Sequence, residues 1–375
     1  MDAAHEPPGL RRSLTDQLPD MVTRLEALVS CESPSSDIAA LSRCAELLDQ
    51  QASDLWGVRP EWISSDGRSH LCWQFGSETT VLVVGHLDTV WPLGTLADWP
   101  FEVNGSLATG PGCFDMKAGL VQGLHAVAAL PERAGLTFLV TSDEEIGSPT
   151  SRAVIERLAQ TAKSALIIEP SAGGALKTGR KGISFYEVEV TGRAAHAGLE
   201  PEAGANAGLE LAEQALAIEL LASPPNGTSV TPTTMSAGTS ANTVPAAARL
   251  NVDVRATSEA EQLRIDAAMR SLTPRRSGTT IRTTGGPNRP PMPEAASQDL
   301  LARARRCCDR LGLPRVEGVA VGGASDGNIT AAAGVPTLDG LGAVGHGAHA
   351  ADETVVVDDM PDRTALLAVL LTELL

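Results

Sequence analysis

The apolar run Val81-Leu82-Val83-Val84 stops at Gly85-His86-Leu87-Asp88. Such a run reads as a buried strand. A strand that ends in His-x-Asp brings two ligand-type side chains to one end of a sheet, and alternation along the chain points both to the same side. There the imidazole can bind a metal while the carboxylate holds its other ring nitrogen. Taken alone, a His and an Asp after a strand are also what an ordinary polar loop contains. The chain, however, repeats the arrangement. Gly110-Pro111-Gly112-Cys113-Phe114-Asp115 is a turn that leads into an apolar helix. The strand pattern from Thr137 ends in Asp143-Glu144-Glu145, and Ala165-Leu166-Ile167-Ile168 ends in Glu169-Pro170. Gly345-His346-Gly347-Ala348-His349 lies near the C-terminal end, with Asp352-Glu353 just after it. Each acid or imidazole sits where a strand or Gly-rich turn stops, the edge of an open α/β sheet at which ligands bind. Mixed imidazole and carboxylate donors suit zinc or a similar divalent ion.

With 375 residues the chain has room for two domains, and a hydrophobic fraction of 43% is that of a globular protein. Forty-six acids against 29 bases leave a net charge of −17, which repels duplex nucleic acid and anionic membranes. Aromatic residues make up only 3%, too few to supply base-stacking platforms. The six cysteines form no Cys-x-x-Cys pair and suggest no disulfide framework, so they read as reduced thiols. Cys113 reads as a small buried residue in a tight turn. The N-terminal residues lack a basic-then-apolar leader, and no stretch reaches membrane-spanning length, so the cytoplasm is the expected location.

Leu14, Leu18, Met21, Val22, Leu25, Leu28 and Val29 recur at helical spacing and predict one opening helix. Strands and helices then alternate through residue 170, which predicts α/β layering. After Thr178 the pattern becomes strand (183–190), helix (205–221), strand (228–235), strand (248–255), helix (258–272) and strand (279–283), a ferredoxin-like α+β unit. Gly285-Gly286-Pro287 punctuates a return to helix and strand signals. The expected architecture is an α/β catalytic domain with a mixed central sheet flanked by helices, built from residues 1–180 and 288–375, with residues 181–287 inserted as a lid.

These clusters, in this order, resemble the di-zinc metallopeptidase and deacylase family that contains aminoacylase, acetylornithine deacetylase, succinyl-diaminopimelate desuccinylase and carboxypeptidase G. The resemblance covers residues 15–372. It is strongest toward the carboxypeptidase G branch, through Gly192-Arg193-Ala194-Ala195-His196-Ala197-Gly198, through Ser240-Ala241-Asn242-Thr243-Val244-Pro245 and through Leu250-Asn251-Val252-Asp253-Val254-Arg255. It implies two Zn²⁺ per chain, with Co²⁺ or Mn²⁺ as alternatives. Asp115 would bridge them, His86 and Glu169 would complete one site, and Glu145 and His349 the other. Three carboxylates and two imidazoles leave such a pair near a net +1, enough to bring a bridging water towards neutral pKa. Glu144, beside a ligand, would be the general base, and Asp88 would support His86. The resemblance further implies a cis peptide at Asp115–Met116, a homodimer formed through the lid, and oxyanion stabilisation by His196, from the partner subunit, and Asn242. Neutral donors aimed at a developing oxyanion are a large catalytic effect.

For the substrate carboxylate the chain offers Arg289, past the lid, and the turn Gly322-Gly323-Ala324-Ser325-Asp326-Gly327 before a helix, with Arg255, Arg180 and Lys181 as weaker candidates. Arginine holds carboxylates bidentately, and a Gly-rich turn presents N–H groups to an anion. His346 competes with His349, which is preferred because Asp352-Glu353 follows it. His5, His70 and His125 have no evident partners in the sequence. The expected activity is release of a C-terminal amino acid, glutamate-like, from an N-acyl or peptidyl small-molecule substrate. The alternatives are an N-acyl-amino-acid deacylase, a bimetallic phosphoesterase, which the lid motif opposes, and a non-catalytic binding protein on the same fold.

Overall fold

The computed structural model describes residues 7–375, with side-chain surroundings from Gly9 onward; His5 lies outside the described residues. The described residues form two compact units. One holds the chain up to Gly179 together with Pro293–Val321 and Ser325–Leu375, and the other holds Arg180–Met292 and Gly322–Ala324.

The first unit is built on a six-stranded sheet ordered Glu61–Ser65, Arg68–Phe75, Leu136–Thr141, Val81–His86, Ser164–Ile167, Thr337–Leu338. Val81–His86 runs parallel to both of its neighbours, while Arg68–Phe75 pairs antiparallel with Leu136–Thr141, so the sheet is mixed. Its central strand is apolar from Val81 to Val84 because both faces are covered there. Val81 and Val83 join a core with the helices Ile38–Trp56, Ala118–Ala128 and Met360–Leu374. Leu82 and Val84, on the opposite face, pack with Ile155 and Leu158 of Arg152–Ala159 and with Ile329. Each such buried aliphatic side chain contributes roughly 1.5–3 kcal/mol. Gly119 permits the closest helix approach: a Cβ there would lie 2.2 Å from the Ile168 carbonyl oxygen.

The opening segment is two helices rather than the single one expected, Pro7–Asp16 and Leu18–Ser30. Pro19 stands in the first turn of the second, where its missing N–H is harmless, so it starts a helix instead of continuing one.

The second unit is a four-stranded antiparallel sheet ordered Ser229–Ala237, Ala247–Ala256, Gly182–Thr191, Thr280–Arg289. Helices Ala207–Glu219 and Glu259–Arg270 cover one face, burying Tyr186, Val188, Val190, Leu250, Val252 and Val254 against Leu211, Ile218, Ile265 and Met269. Asn206 and Ser258 cap the two helices by accepting from Leu209 N–H and Glu261 N–H. This is the ferredoxin-like insert. Its last strand passes through the expected break at Gly285-Gly286-Pro287 and ends at Arg289. It is an edge strand, where a proline leaves no ladder bond unmade. No described helix is long and apolar enough to cross a membrane.

Candidate metal centre

Strand register brings the first donors together. Val84 pairs with Ile167 in the parallel ladder, so His86 and Glu169 each lie two residues past a matched position, and His86 itself pairs with Thr141, just ahead of the acidic turn. His86 Nε2 lies 3.3 Å from Glu169 Oε1 and 3.4 Å from Asp115 Oδ1. The other Asp115 oxygen, Oδ2, lies 3.4 Å from His349 Nε2, which in turn is 3.0 Å from Glu145 Oε2. One carboxylate therefore stands between two imidazoles and presents one oxygen to each. Donor atoms of His86, Asp115 and Glu145 lie within 4.8 Å of one another, as do those of His86, Glu144 and Glu169. The peptide Asp115–Met116 is cis, and His349 sits at φ +63° in the left-handed region.

These residues fit a divalent cation. Asp115 Oδ1 is buried and accepts no hydrogen bond. A buried carboxylate oxygen is normally satisfied by a donor or a cation, and 3.4 Å is too long for a bond to an imidazole nitrogen. The local charges point the same way. Burial opposes a charge on His86, yet Asp115, Asp88 and Glu169 outweigh it and hold the imidazole well above its ordinary pKa. Asp115 and Glu145 push His349 up to about 10. Burial raises the Glu145 carboxyl, while that of Asp115, also buried, is drawn below its usual range by His349 and His86.

Asp88 is buried beneath the donors and holds three of them in place. Its main-chain carbonyl, not its carboxylate, takes the His86 Nδ1 hydrogen bond at 2.9 Å; the nearer carboxylate oxygen is 3.5 Å away. The carboxylate accepts instead from Glu144 N–H, Glu145 N–H and the Ser35 hydroxyl. Of the three consecutive acids, Asp143 is structural and accepts from Thr150 and Ser151. Asp326 accepts from Thr141 and Ser148 hydroxyls on either side of the acidic turn.

Several residues acquire partners that the sequence did not reveal. His70 is buried under the acidic turn, its Nδ1 accepting from Ser142 N–H and its Nε2 facing Thr150 Oγ1. His125 is buried too, with Nδ1 2.9 Å from Gln17 Oε1. Glu353 gathers four donors around the Asp115 turn. Lys117, 1% exposed, donates to the Leu28 and Cys31 carbonyls and anchors the same turn from below. Cys113 is buried, as expected of a small residue in that turn. His346 is exposed in a short strand paired with Thr354–Val356.

In the inserted unit, His196 and Asn242 lie on facing loops joined by the His196–Thr243 bridge and by Ala197 N–H to the Asn242 carbonyl. His196 Nδ1 accepts from Gly198 N–H, which leaves Nε2 as the protonated nitrogen of the neutral ring. Arg255 already grips Asp253 bidentately at 2.7 Å through both contacts. Arg289 is buried at the end of its strand, and the Gly323 carbonyl accepts from Arg180. Ser325, in the first unit, is fully buried with its hydroxyl given to Asp339 at 2.6 Å, a structural use rather than an open binding group.

Known proteins resemble this chain over nearly its whole length. The chain is 30% identical over 388 residues to carboxypeptidase G2 of Pseudomonas sp. (strain RS-16), covering 97% of this chain and 92% of that one. It is 28% identical over 382 residues to succinyl-diaminopimelate desuccinylase of Dechloromonas aromatica, covering 93% and 97%. Its fold matches an M20 family metallo-carboxypeptidase from Sulfolobus solfataricus with a TM-score of 0.75 at 16% identity, over 94% of this chain and 98% of that one. The sequence profile of the Peptidase family M20/M25/M40 matches residues 82–373, which include every donor from His86 to His349. The chain belongs to that family and is a hydrolase of peptide or acyl-amino-acid amide bonds that works with a divalent metal.

Proposed function

We propose that the chain releases a C-terminal amino acid, glutamate-like, from an N-acyl or short peptidyl substrate. In this reading His86, Asp115, Glu145, Glu169 and His349 would hold two divalent ions, Zn²⁺ before Co²⁺ or Mn²⁺, with Asp115 shared between a His86–Glu169 site and a Glu145–His349 site. The observation that carries it is the Asp115 carboxylate set between two imidazoles with its buried oxygen unbonded. When bound, the metal pair supplies an acidified water and polarises the scissile carbonyl.

The chain's own residues do the rest. Glu144, buried beside His86 and Glu169, takes the attacking water's proton on a carboxylate oxygen and delivers it to the leaving nitrogen. Asp88 holds Glu144 and Glu145 by their main chain, so the base and a ligand move together. His196 of the partner subunit, with its proton on Nε2, and Asn242 stabilise the oxyanion. Arg289 and the Gly322-Gly323 turn take the substrate carboxylate, and with Arg255 committed to Asp253 they carry that role. The working form is a homodimer joined through the inserted unit, and the expected location remains the cytoplasm. The similarity to carboxypeptidase G2 supports the carboxypeptidase reading, and the similarity to a desuccinylase supports the deacylase alternative.

A panel of N-acyl glutamates, N-acetyl and N-succinyl basic amino acids and dipeptides, assayed on zinc-loaded protein, separates the two. The expected outcome is the highest kcat/KM on acyl-glutamates, with activity lost to a chelator and regained at two metals per chain. A preference for N-acetyl or N-succinyl basic amino acids would move the chain to the deacylases, and full activity with one tightly bound metal would end the bridged pair.

A further inference from the structure

The turn that carries Asp115 and the loop that carries His349 meet at one side chain, Glu353. The Glu353 carboxylate is fully buried and receives four hydrogen bonds. Its Oε1 accepts from Phe114 N–H at 2.8 Å and Asp115 N–H at 2.9 Å; its Oε2 accepts from Gly112 N–H and Trp91 Nε1–H, both at 3.0 Å. Two oxygens with two donors each exhaust the acceptor capacity of a carboxylate. Glu353 also closes the His349 loop, with its own N–H bonded to the Ala350 carbonyl while Ala350 N–H bonds to that of Gly347. Gly347, at φ +81°, packs against Glu353 so closely that a Cβ would lie 2.8 Å from its Cα.

We propose that Glu353 is a positioning residue of the metal centre. It fixes the Asp115 turn to the His349 loop, and so sets the spacing of the two donors that approach each other from different parts of the chain. The proposal rests on the reading of Asp115 and His349 as ligands. Groups that hold ligands in place matter nearly as much as the ligands, and losing one costs about 10- to 100-fold in metal affinity or activity. Glutamine cannot substitute: its NH₂ would face two N–H donors, leaving them buried and unbonded.

The test is the Zn²⁺ dissociation constant of the full chain, measured by competition with a chromophoric chelator, together with the visible spectrum of the Co²⁺ form and the Tm of metal-stripped protein. Glu353→Gln should weaken Zn²⁺ binding about 10- to 100-fold and alter the Co²⁺ bands at temperatures where the stripped protein is folded. A variant with lowered Tm but wild-type affinity and spectrum would overturn the proposal, because a merely structural residue behaves that way. Should Glu353→Gln not fold, Trp91→Phe, which removes one of the four donors, decides: weaker binding in the same direction supports the proposal, and wild-type affinity with an unchanged spectrum overturns it. A wild-type chain that binds no Zn²⁺ would overturn the metal reading itself, and this proposal with it.

Discussion

Glu144 and Glu145 are consecutive, and both are held by Asp88 through their main-chain N–H groups, yet their side chains enter different company. Glu145 faces His349; Glu144 lies among His86 and Glu169. A short turn after a strand makes this division possible, because successive side chains diverge there. Glu144→Gln should keep the full complement of metal by elemental analysis and lose about 10²–10⁴ in kcat, the usual worth of a positioned acid–base group. A near-wild-type kcat in that variant would move the base elsewhere. At this scale the clusters that hold the candidate donors stand out in the sequence, because each ends a strand or a Gly-rich turn in an acid or imidazole; the role given to each residue came from the family resemblance. The tasks of Glu353, His70 and Asp326 are not marked there. Their roles are defined by backbone donors and hydroxyls far away in the chain, and nothing in their neighbouring residues marks such a task.

Among the elements, the parallel ladder does the most to assemble the centre. Register alone sets His86 beside Glu169, and the helix Ala118–Ala128 then presses the Asp115 turn against them. That approach depends on Gly119 lying against the Ile168 carbonyl, one residue before Glu169. Gly119→Ala should destabilise the protein by about 1–3 kcal/mol through overpacking, read from the denaturant midpoint, and should weaken metal binding as well. A variant as stable as wild type would show that the helix can shift without consequence. Strand and helix positions in the inserted unit followed from hydrophobic period. The sequence erred where a proline could be read two ways: Pro19 opens a helix, and Pro287 is tolerated on an edge strand. Whether a proline sits at an edge or in a first turn is a tertiary fact.

On the scale of the whole molecule, the inserted unit holds the expected oxyanion donors, and the first unit holds every expected metal ligand. If His196 acts across a dimer, mixing a His196→Ala chain with a Glu144→Ala chain should restore activity in the heterodimers, each of which can form one site with both groups intact. Absence of rescue, in a mixture shown by mass to exchange subunits, would place His196 within its own chain's site. The order of the ligands along the chain also has a consequence for biosynthesis. His86, Asp115, Glu145 and Glu169 are all translated before the insert, whereas His349 and its anchor Glu353 come after it. Domains fold broadly in the order they leave the ribosome. If the proposed five residues hold the metal, a nascent chain can complete its sheet's central strands and its insert while the site still lacks His349, and catalytic competence would then arrive late in translation and all at once.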